Sequence, residues 1–125
     1  MEKITDIFTK EFGFLQSKFI IIEENLNDLA DSKKDCIYNP GVYVYHKGDD
    51  IIKVGRHLTN SRKRALEHIK ANTKNEQLEM KNLTNNPDCK VTLLNVRDRD
   101  DYHWVAAVEI YMEKELNPII RSKRH

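Results

Sequence analysis

The chain has 125 residues and a mass of 14.7 kDa, with 39% hydrophobic residues, 33% charged residues and a mean hydropathy of -0.69. This length fits a single compact domain, and the apolar content can fill one core, which argues against full disorder. No apolar run approaches the length of a membrane span, and charges interrupt the N-terminus where a secretory signal would be apolar. We therefore expect a cytoplasmic protein with no membrane partner.

The net charge of +1 conceals an uneven distribution along the chain. Residues 1–38 carry eight acidic and five basic side chains, a sum of −3, whereas the other 87 residues carry 12 acidic and 16 basic ones, a sum of +4. A basic body suits a polyanion such as DNA, although many ordinary domains are equally uneven. Cys36 and Cys89 stand far apart without metal-binding spacing, so we expect neither a disulfide scaffold nor a zinc site.

The first half of the chain combines one helix with a hairpin. Residues 2–12 place apolar side chains at helical spacing, which predicts an amphipathic helix ending near Gly13. The apolar run at 19–22 and the polar residues after it fit a strand running into a helix and one continuous helix equally well. After a turn signal at 39–41, the runs GVYVYH and IIKVG, separated by KGDD, predict a β-hairpin.

The second half of the chain is mainly helical, with one further strand. Asn60 or Ser61 can cap a helix that continues to about position 71, and residues 75–83 suggest another short helix. Residues 90–96 (KVTLLNV) are typical of a strand, and residues 103–116 predict a final helix. This order of elements indicates a small α+β domain preceded by an N-terminal helical segment.

Glu109 stands out on the predicted last helix. At about 100° per residue, it lies roughly 40° from the middle of the apolar stripe on that helix. The stripe consists of Val105, Val108, Met112 and Leu116. A carboxylate beside a buried face costs free energy unless it is paired or binds a cation. An edge position from which the carboxylate reaches solvent is the simpler interpretation.

Positive charge collects around the helix that begins near position 60. Arg64 and His68 are four positions apart and share one face of it. The neighbouring cations are candidate nucleic-acid contacts, namely Arg56, Arg62, Lys63 and Lys70. A solvated helix surface is the alternative interpretation of such a patch. On the hairpin, alternation sends Tyr43 and Tyr45 to one face and Val42 and Val44 to the other. Packing is the usual role of tyrosines in strands.

These features occur together in the order and spacing of a known family. They are GVY at 41–43, KVG at 53–55, Arg64 nine positions after Gly55, His68 one turn later, and Glu109 followed by Asn-Pro at 117–118. Over residues 39–118, about two thirds of the chain, the arrangement resembles the GIY-YIG nuclease family. The tripeptides alone are a weak signal. Their coincidence with correctly spaced Arg, His and Glu is more specific.

The resemblance implies a fold and an activity. The fold is a small three-stranded antiparallel sheet flanked by helices over residues 39–125, with residues 1–38 as an acidic, mostly helical N-terminal extension. The activity is that of a divalent-metal-dependent endonuclease, which hydrolyses DNA phosphodiester bonds with Mg²⁺ or Mn²⁺. The DNA target and the oligomeric state stay open.

The same resemblance implies a role for each matching residue. Tyr43 would act as the general base or orient the attacking water. Arg64 would neutralise a non-bridging phosphate oxygen, and His68 would position the phosphate or relay a proton. Glu109 would hold the metal ion, because a hard divalent cation prefers carboxylate and phosphate oxygens.

Two positions depart from the family pattern. Lys53 replaces the first tyrosine of the second tripeptide, and Arg121 stands where an asparagine often follows the terminal proline. Lys53 could contact a phosphate or act through its charge on a water molecule or on Tyr43. It could equally reduce activity. The alternative function is therefore a catalytically weakened or inactive module that binds nucleic acid or protein on the same fold.

Overall fold

The computed structural model describes residues 2–70, 83 and 86–122. Within them the helices are α1 (Glu2–Phe12), α2 (Ser61–Lys70) and α3 (His103–Leu116), and the strands are β1 (Phe19–Asn25), β2 (Gly41–Lys47), β3 (Asp50–His57) and β4 (Cys89–Val96). Short 3₁₀ segments occur at Gly13–Lys18, Leu26–Asp31 and Arg99–Asp101. The predicted helix at 75–83 lies outside the described residues except for Leu83. No described helix is long and apolar enough to cross a membrane.

The four strands form one antiparallel sheet in the order β1-β4-β2-β3. The α+β class is confirmed, but the predicted three-stranded sheet is wrong because residues 19–25 form a fourth strand. β1 pairs with β4 from Phe19 opposite Val96 to Asn25 opposite Lys90. Without this pairing, β4 would expose a row of unpaired backbone groups at the sheet edge. Part of the predicted helical extension is therefore a strand of the central sheet.

Alternation along the strands divides the core between the two faces of the sheet. α1 and α3 cover one face, where Val42 and Val44 of β2 are buried. α2 covers the other face, where Tyr43 and Tyr45 are buried with Ala65. The predicted division of the tyrosines and valines of β2 is confirmed. The apolar stripe of α3 also faces the core, as predicted.

The bounds of two helices agree with the sequence patterns. α1 spans Glu2–Phe12 and α3 spans His103–Leu116, as their apolar spacing predicts. The start of α2 also follows local chemistry, because the Asn60 side chain accepts a hydrogen bond from the backbone N–H of Lys63 at 3.0 Å. This is the contact of an N-terminal cap, so the predicted cap at Asn60 is confirmed.

A C-terminal segment pairs with the outer edge of β3. Backbone N–H groups of residues 119 and 120 donate to the carbonyl oxygens of residues 51 and 52 at 3.0 and 2.8 Å. Next to this contact, the register between β2 and β3 shifts after the Tyr45–Lys53 pair, which leaves Ile52 as the extra residue of a β-bulge. Because Lys53 stands directly opposite Tyr45, its side chain shares the face that carries the tyrosines.

A buried polar network attaches the start of α2 to the sheet. The hydroxyl group of Ser61 donates to Asn95 Oδ1 at 2.5 Å, and Asn95 Nδ2 donates to the carbonyl oxygen of Cys36 at 2.9 Å. Ser61 and Asn95 are fully buried, so loss of either partner would leave buried polar atoms unsatisfied. Gly41 lies opposite Asn95, and its missing side chain leaves room for the amide group.

Gly41→Ala should destabilise the protein. A Cβ atom there would lie 2.6 Å from the carbonyl oxygen of Leu94 and 2.7 Å from Asn95 Cα, so the backbone would have to shift. We expect the free energy of unfolding, measured by urea denaturation, to fall by about 1–3 kcal/mol. Gly13→Ala is the matched control, because nothing lies within 4 Å of a Cβ at that position. Equal stability of the two variants would contradict the packing argument.

Candidate functional site

Tyr43 of the GVY segment lies across the glycine of the KVG segment. The two residues are directly opposite on β2 and β3. A Cβ on Gly55 would lie 2.7 Å from Tyr43 Cε2, and the hydroxyl group would be closer still. Tyr43 is 2% exposed, and its ring extends over Gly55 toward the edge strand. The two tripeptides therefore form one unit, in which the glycine provides the space that the phenol fills.

Helix α2 brings His68 to the hydroxyl group of Tyr43. His68 Nε2 lies 2.7 Å from Tyr43 Oη, and the two ring centroids are 5.5 Å apart. The hydroxyl group of Tyr45 donates to the carbonyl oxygen of Ala65, which holds the same turn of α2 against β2. The hydroxyl group of Tyr45 thus binds the backbone of the helix, while that of Tyr43 meets a titratable side chain.

Arg64 lies close to these two residues. It is exposed on α2 and makes an ion pair with Glu67 at 3.1 Å. Its positive charge lowers the pKa of Tyr43 against the larger effect of burial, and it also lowers the pKa of His68. Arg64 and His68 lie on one face of the helix, as predicted.

The pKa shifts at this site oppose proton loss from the phenol. Burial, with a smaller effect of the Glu109 charge, raises the pKa of Tyr43 far above its ordinary value, although Arg64 lowers it. Burial, together with the charges of Lys53 and Arg64, lowers the pKa of His68 to about 4. At neutral pH, Tyr43 therefore keeps its phenolic proton, and His68 is a neutral ring that can accept a hydrogen bond from it. This state favours orientation of a water molecule by Tyr43 over attack by a phenolate.

Lys53 acts within the same site. It is 6% exposed and lies on the tyrosine face of the sheet, opposite Tyr45. Its positive charge contributes, after burial, to the lowered pKa of His68. A buried cation therefore lies beside the Tyr43–His68 pair, at the position where the family pattern has a second phenol.

Glu109 approaches the edge strand from the opposite face of the sheet. Its partner is Arg56, which stands opposite Val42 and so belongs to the face covered by α3. Arg56 Nη1 lies 2.7 Å from Glu109 Oε1, and the side chain of Glu109 is 1% exposed. The simpler expectation, a carboxylate that reaches solvent, is wrong. The negative charge of Glu109 is nevertheless close enough to raise the pKa of Tyr43, as a smaller cause after burial.

A divalent ion at this site would depend on Glu109. The part of the chain that the structure describes contains no group of three or more His, Cys, Asp or Glu side chains that could hold a metal. One carboxylate would therefore hold the ion, with water and a substrate phosphate as the other ligands, a set that Mg²⁺ accepts. The donor chemistry fits, but Oε1 is bound to Arg56. A metal ion that uses Oε1 therefore has to displace Arg56.

Two of the predicted nucleic-acid contacts already interact with other groups of the protein, and a third is exposed. Arg56 makes an ion pair with Glu109. The guanidinium group of Arg62 lies 4.4 Å from the ring centroid of Tyr38 and donates a hydrogen bond to the Ala30 carbonyl oxygen at 2.8 Å. Lys63 is exposed beside Arg64. The side chain of Lys70 lies outside the described residues.

Sequence reasoning missed two residues that support the site. Glu67 pairs with Arg64, and their spacing of three positions on a helix is the signal that could have revealed it. Asn95 anchors α2 through Ser61. The sequence signal for Asn95 is a side-chain amide within the apolar run KVTLLNV, but Ser61, the partner of Asn95, is 34 positions away in the sequence. Local patterns alone do not identify such a contact.

Comparisons of the chain with protein-family models, with curated proteins and with solved structures find no match. Function is therefore inferred from the residues that carry the family resemblance and from the geometry of the site.

The lowered pKa of His68 predicts an acid-sensitive contribution to stability. The unfolded chain binds a proton at His68 below about pH 6.5 and the folded protein only near pH 4, so stability falls as the pH drops through this interval. We expect wild type to lose about 1–2 kcal/mol more than His68→Gln between pH 7 and 4, after allowance for partial exposure of the ring.

Chemical denaturation at both pH values measures this difference. The pKa of His46 is also lowered by burial, but His46 is present in both proteins and its effect cancels. Equal acid sensitivity of the two proteins would contradict the prediction.

Proposed function

We propose that this protein is a divalent-metal-dependent endonuclease that hydrolyses DNA phosphodiester bonds at the Tyr43 site. One observation carries the proposal. Tyr43 Oη lies 2.7 Å from His68 Nε2, and the charge of Arg64 acts on both residues. These residues come from the GVY segment and the following helix, which carry the resemblance to GIY-YIG nucleases.

Tyr43 and His68 would orient the attacking water. With Nε2 of the neutral His68 as acceptor, the phenol would donate to it, and the Tyr43 oxygen would accept a hydrogen bond from the attacking water. The raised pKa of Tyr43 opposes a free phenolate, and the lowered pKa of His68 opposes a protonated ring. The pair would therefore orient the water, whose proton would leave to solvent.

Arg64 and Lys53 would stabilise negative charge on the phosphoryl group. Arg64 is exposed and its charge acts on the phenol, so its N–H groups could meet a non-bridging oxygen next to the attacking water. Lys53 adds a buried positive charge on the same face. These two positive charges would stabilise the negative charge that develops on the phosphoryl group in the transition state.

Glu109 would hold the divalent ion. When bound, Mg²⁺ or Mn²⁺ would supply charge stabilisation to the leaving oxygen. The carboxylate lies on α3 across the edge strand from Tyr43, and its charge contributes to the electrostatics of the phenol. Glu109 therefore acts on the same site from the other face of the sheet.

One observation favours a second function, a module that binds nucleic acid without cutting it. The Arg56–Glu109 ion pair already neutralises the carboxylate, and Lys53 replaces a phenol of the family pattern. Such a module would bind DNA with a steep dependence on salt concentration and leave plasmid DNA intact when Mg²⁺ or Mn²⁺ is added.

Glu109→Gln and Arg64→Ala should each lower the single-turnover rate of plasmid nicking by about 10²–10³-fold, because each removes one element of charge stabilisation. Glu113→Gln is the matched control. Glu113 lies one turn further along α3, is 1% exposed, and accepts a hydrogen bond from the backbone N–H of Ser122 at 2.9 Å. Undiminished cutting by Glu109→Gln or Arg64→Ala would defeat the assignment.

Lys53→Tyr should keep or raise the cleavage rate, because it restores the phenol of the family pattern at a position that faces Tyr45. Lys47→Tyr, at the exposed end of β2, is the control and should leave the rate unchanged. The same nicking assay measures both. Complete loss of activity in Lys53→Tyr alone would show that the lysine has its own chemical role.

A further inference from the structure

The proposed function assigns Glu109 to a metal ion, but its carboxylate already pairs with Arg56 in the structure. Arg56 Nη1 lies 2.7 Å from Glu109 Oε1, within the range of a strong charge-assisted hydrogen bond. The carboxylate side chain is 1% exposed, whereas that of Arg56 is 35% exposed. The guanidinium group is therefore the member of the pair that an external ion meets first.

A guanidinium and a divalent ion compete for the same carboxylate oxygens. A buried carboxylate is unfavourable without a cation, and Arg56 already supplies one. A metal ion that displaces Arg56 must replace that interaction and also lose part of its own water shell, which Mg²⁺ gives up reluctantly. The free protein should consequently bind a divalent ion weakly at Glu109.

A nucleic-acid phosphate can remove this obstacle. Arg56 directly follows Gly55 on the edge strand, and the Tyr43 ring lies across Gly55. The Arg56 side chain lies on the other face of the sheet, but β3 is the edge strand, so the guanidinium group would meet a phosphate bound beside Tyr43 and Arg64 at that edge. Guanidinium groups bind phosphate with two parallel hydrogen bonds, so the phosphate offers Arg56 an alternative anion.

We propose that Arg56 is a gate on Glu109, which a DNA phosphate opens by drawing the guanidinium group away, so that DNA and the divalent ion bind cooperatively. This inference rests on the proposed function, since it assigns the regulation of the same site. By linkage, DNA must then raise the affinity for the metal by the factor by which the metal raises the affinity for DNA. Before DNA arrives, Arg56 holds Glu109 Oε1 and weakens metal binding there.

Direct measurement of Mn²⁺ binding tests the gate without turnover. The signal of free Mn²⁺ in electron paramagnetic resonance is titrated with the full chain in the absence of DNA. Arg56→Gln should bind Mn²⁺ about tenfold more tightly than wild type, because the competing charge is gone. Glu109→Gln and the double variant should lose this binding, which assigns the ion to Glu109.

A second titration adds a short DNA duplex to proteins in a Tyr43→Phe background, which prevents cleavage. A phosphate oxygen can itself be a ligand of the ion, so the duplex should tighten Mn²⁺ binding in both proteins, but about tenfold more with Arg56 present than with Arg56→Gln. Addition of Glu109→Gln to the same background corrects for Mn²⁺ that binds the DNA itself. If Arg56→Gln does not fold, Arg56→Met replaces it in both titrations, because the test requires removal of the competing charge.

Each outcome supports or overturns the gate. Tighter Mn²⁺ binding in Arg56→Gln, together with a smaller effect of the duplex than in the protein that keeps Arg56, supports it. Equal Mn²⁺ affinity of wild type and Arg56→Gln overturns it, and if plasmid DNA is still cut, the proposed function stands. Absence of any Glu109-dependent Mn²⁺ binding, together with absence of cleavage, overturns both.

Discussion

The hydrogen bond between Tyr43 and His68 joins the sheet to helix α2, and the candidate site depends on it. Gly55 makes it possible, since any larger residue would collide with the ring that carries the hydroxyl group. The start of α2 is attached separately through Ser61 and Asn95, which sets where the helix begins relative to the strands. With both attachments in place, the helix presents its guanidinium group at the phenol. The site is thus a consequence of how one helix packs on two strands.

Electrostatic balance explains the protonation states of the site. Burial raises the pKa of the phenol and lowers that of the imidazole, and the neighbouring cations reinforce the second effect. The buried carboxylate of Glu109 lies on the other face of the sheet with its own counter-ion, Arg56. The edge strand therefore separates a face that carries cations and the Tyr43–His68 pair from a face that carries a neutralised acid. A polyanion that binds the first face would disturb the balance on the second.

Residues 1–38 belong to the structural framework of the site. β1 completes the sheet beside β4, and α1 packs with α3 on the face where Glu109 lies. Contacts of Arg62 with Tyr38 and with the Ala30 carbonyl oxygen connect the same segment to α2. The segment thus supports both helices that carry the candidate residues. Its acidic charge does not prevent this, because the strand and helix use their apolar positions for packing.

Local patterns in the sequence determined the elements of this protein. Apolar spacing predicted α1 and α3, strand alternation predicted the faces of Tyr43 and Val42, and side-chain chemistry predicted the cap at Asn60. Tertiary structure alone decided the pairing of β1 with β4, the anchoring of α2 by Asn95, and the partner of Glu109. The physical reason is distance along the chain. Periodicity and capping involve neighbours within one or two turns, whereas strand pairing and the neutralisation of a buried charge require groups that meet only after the chain has folded.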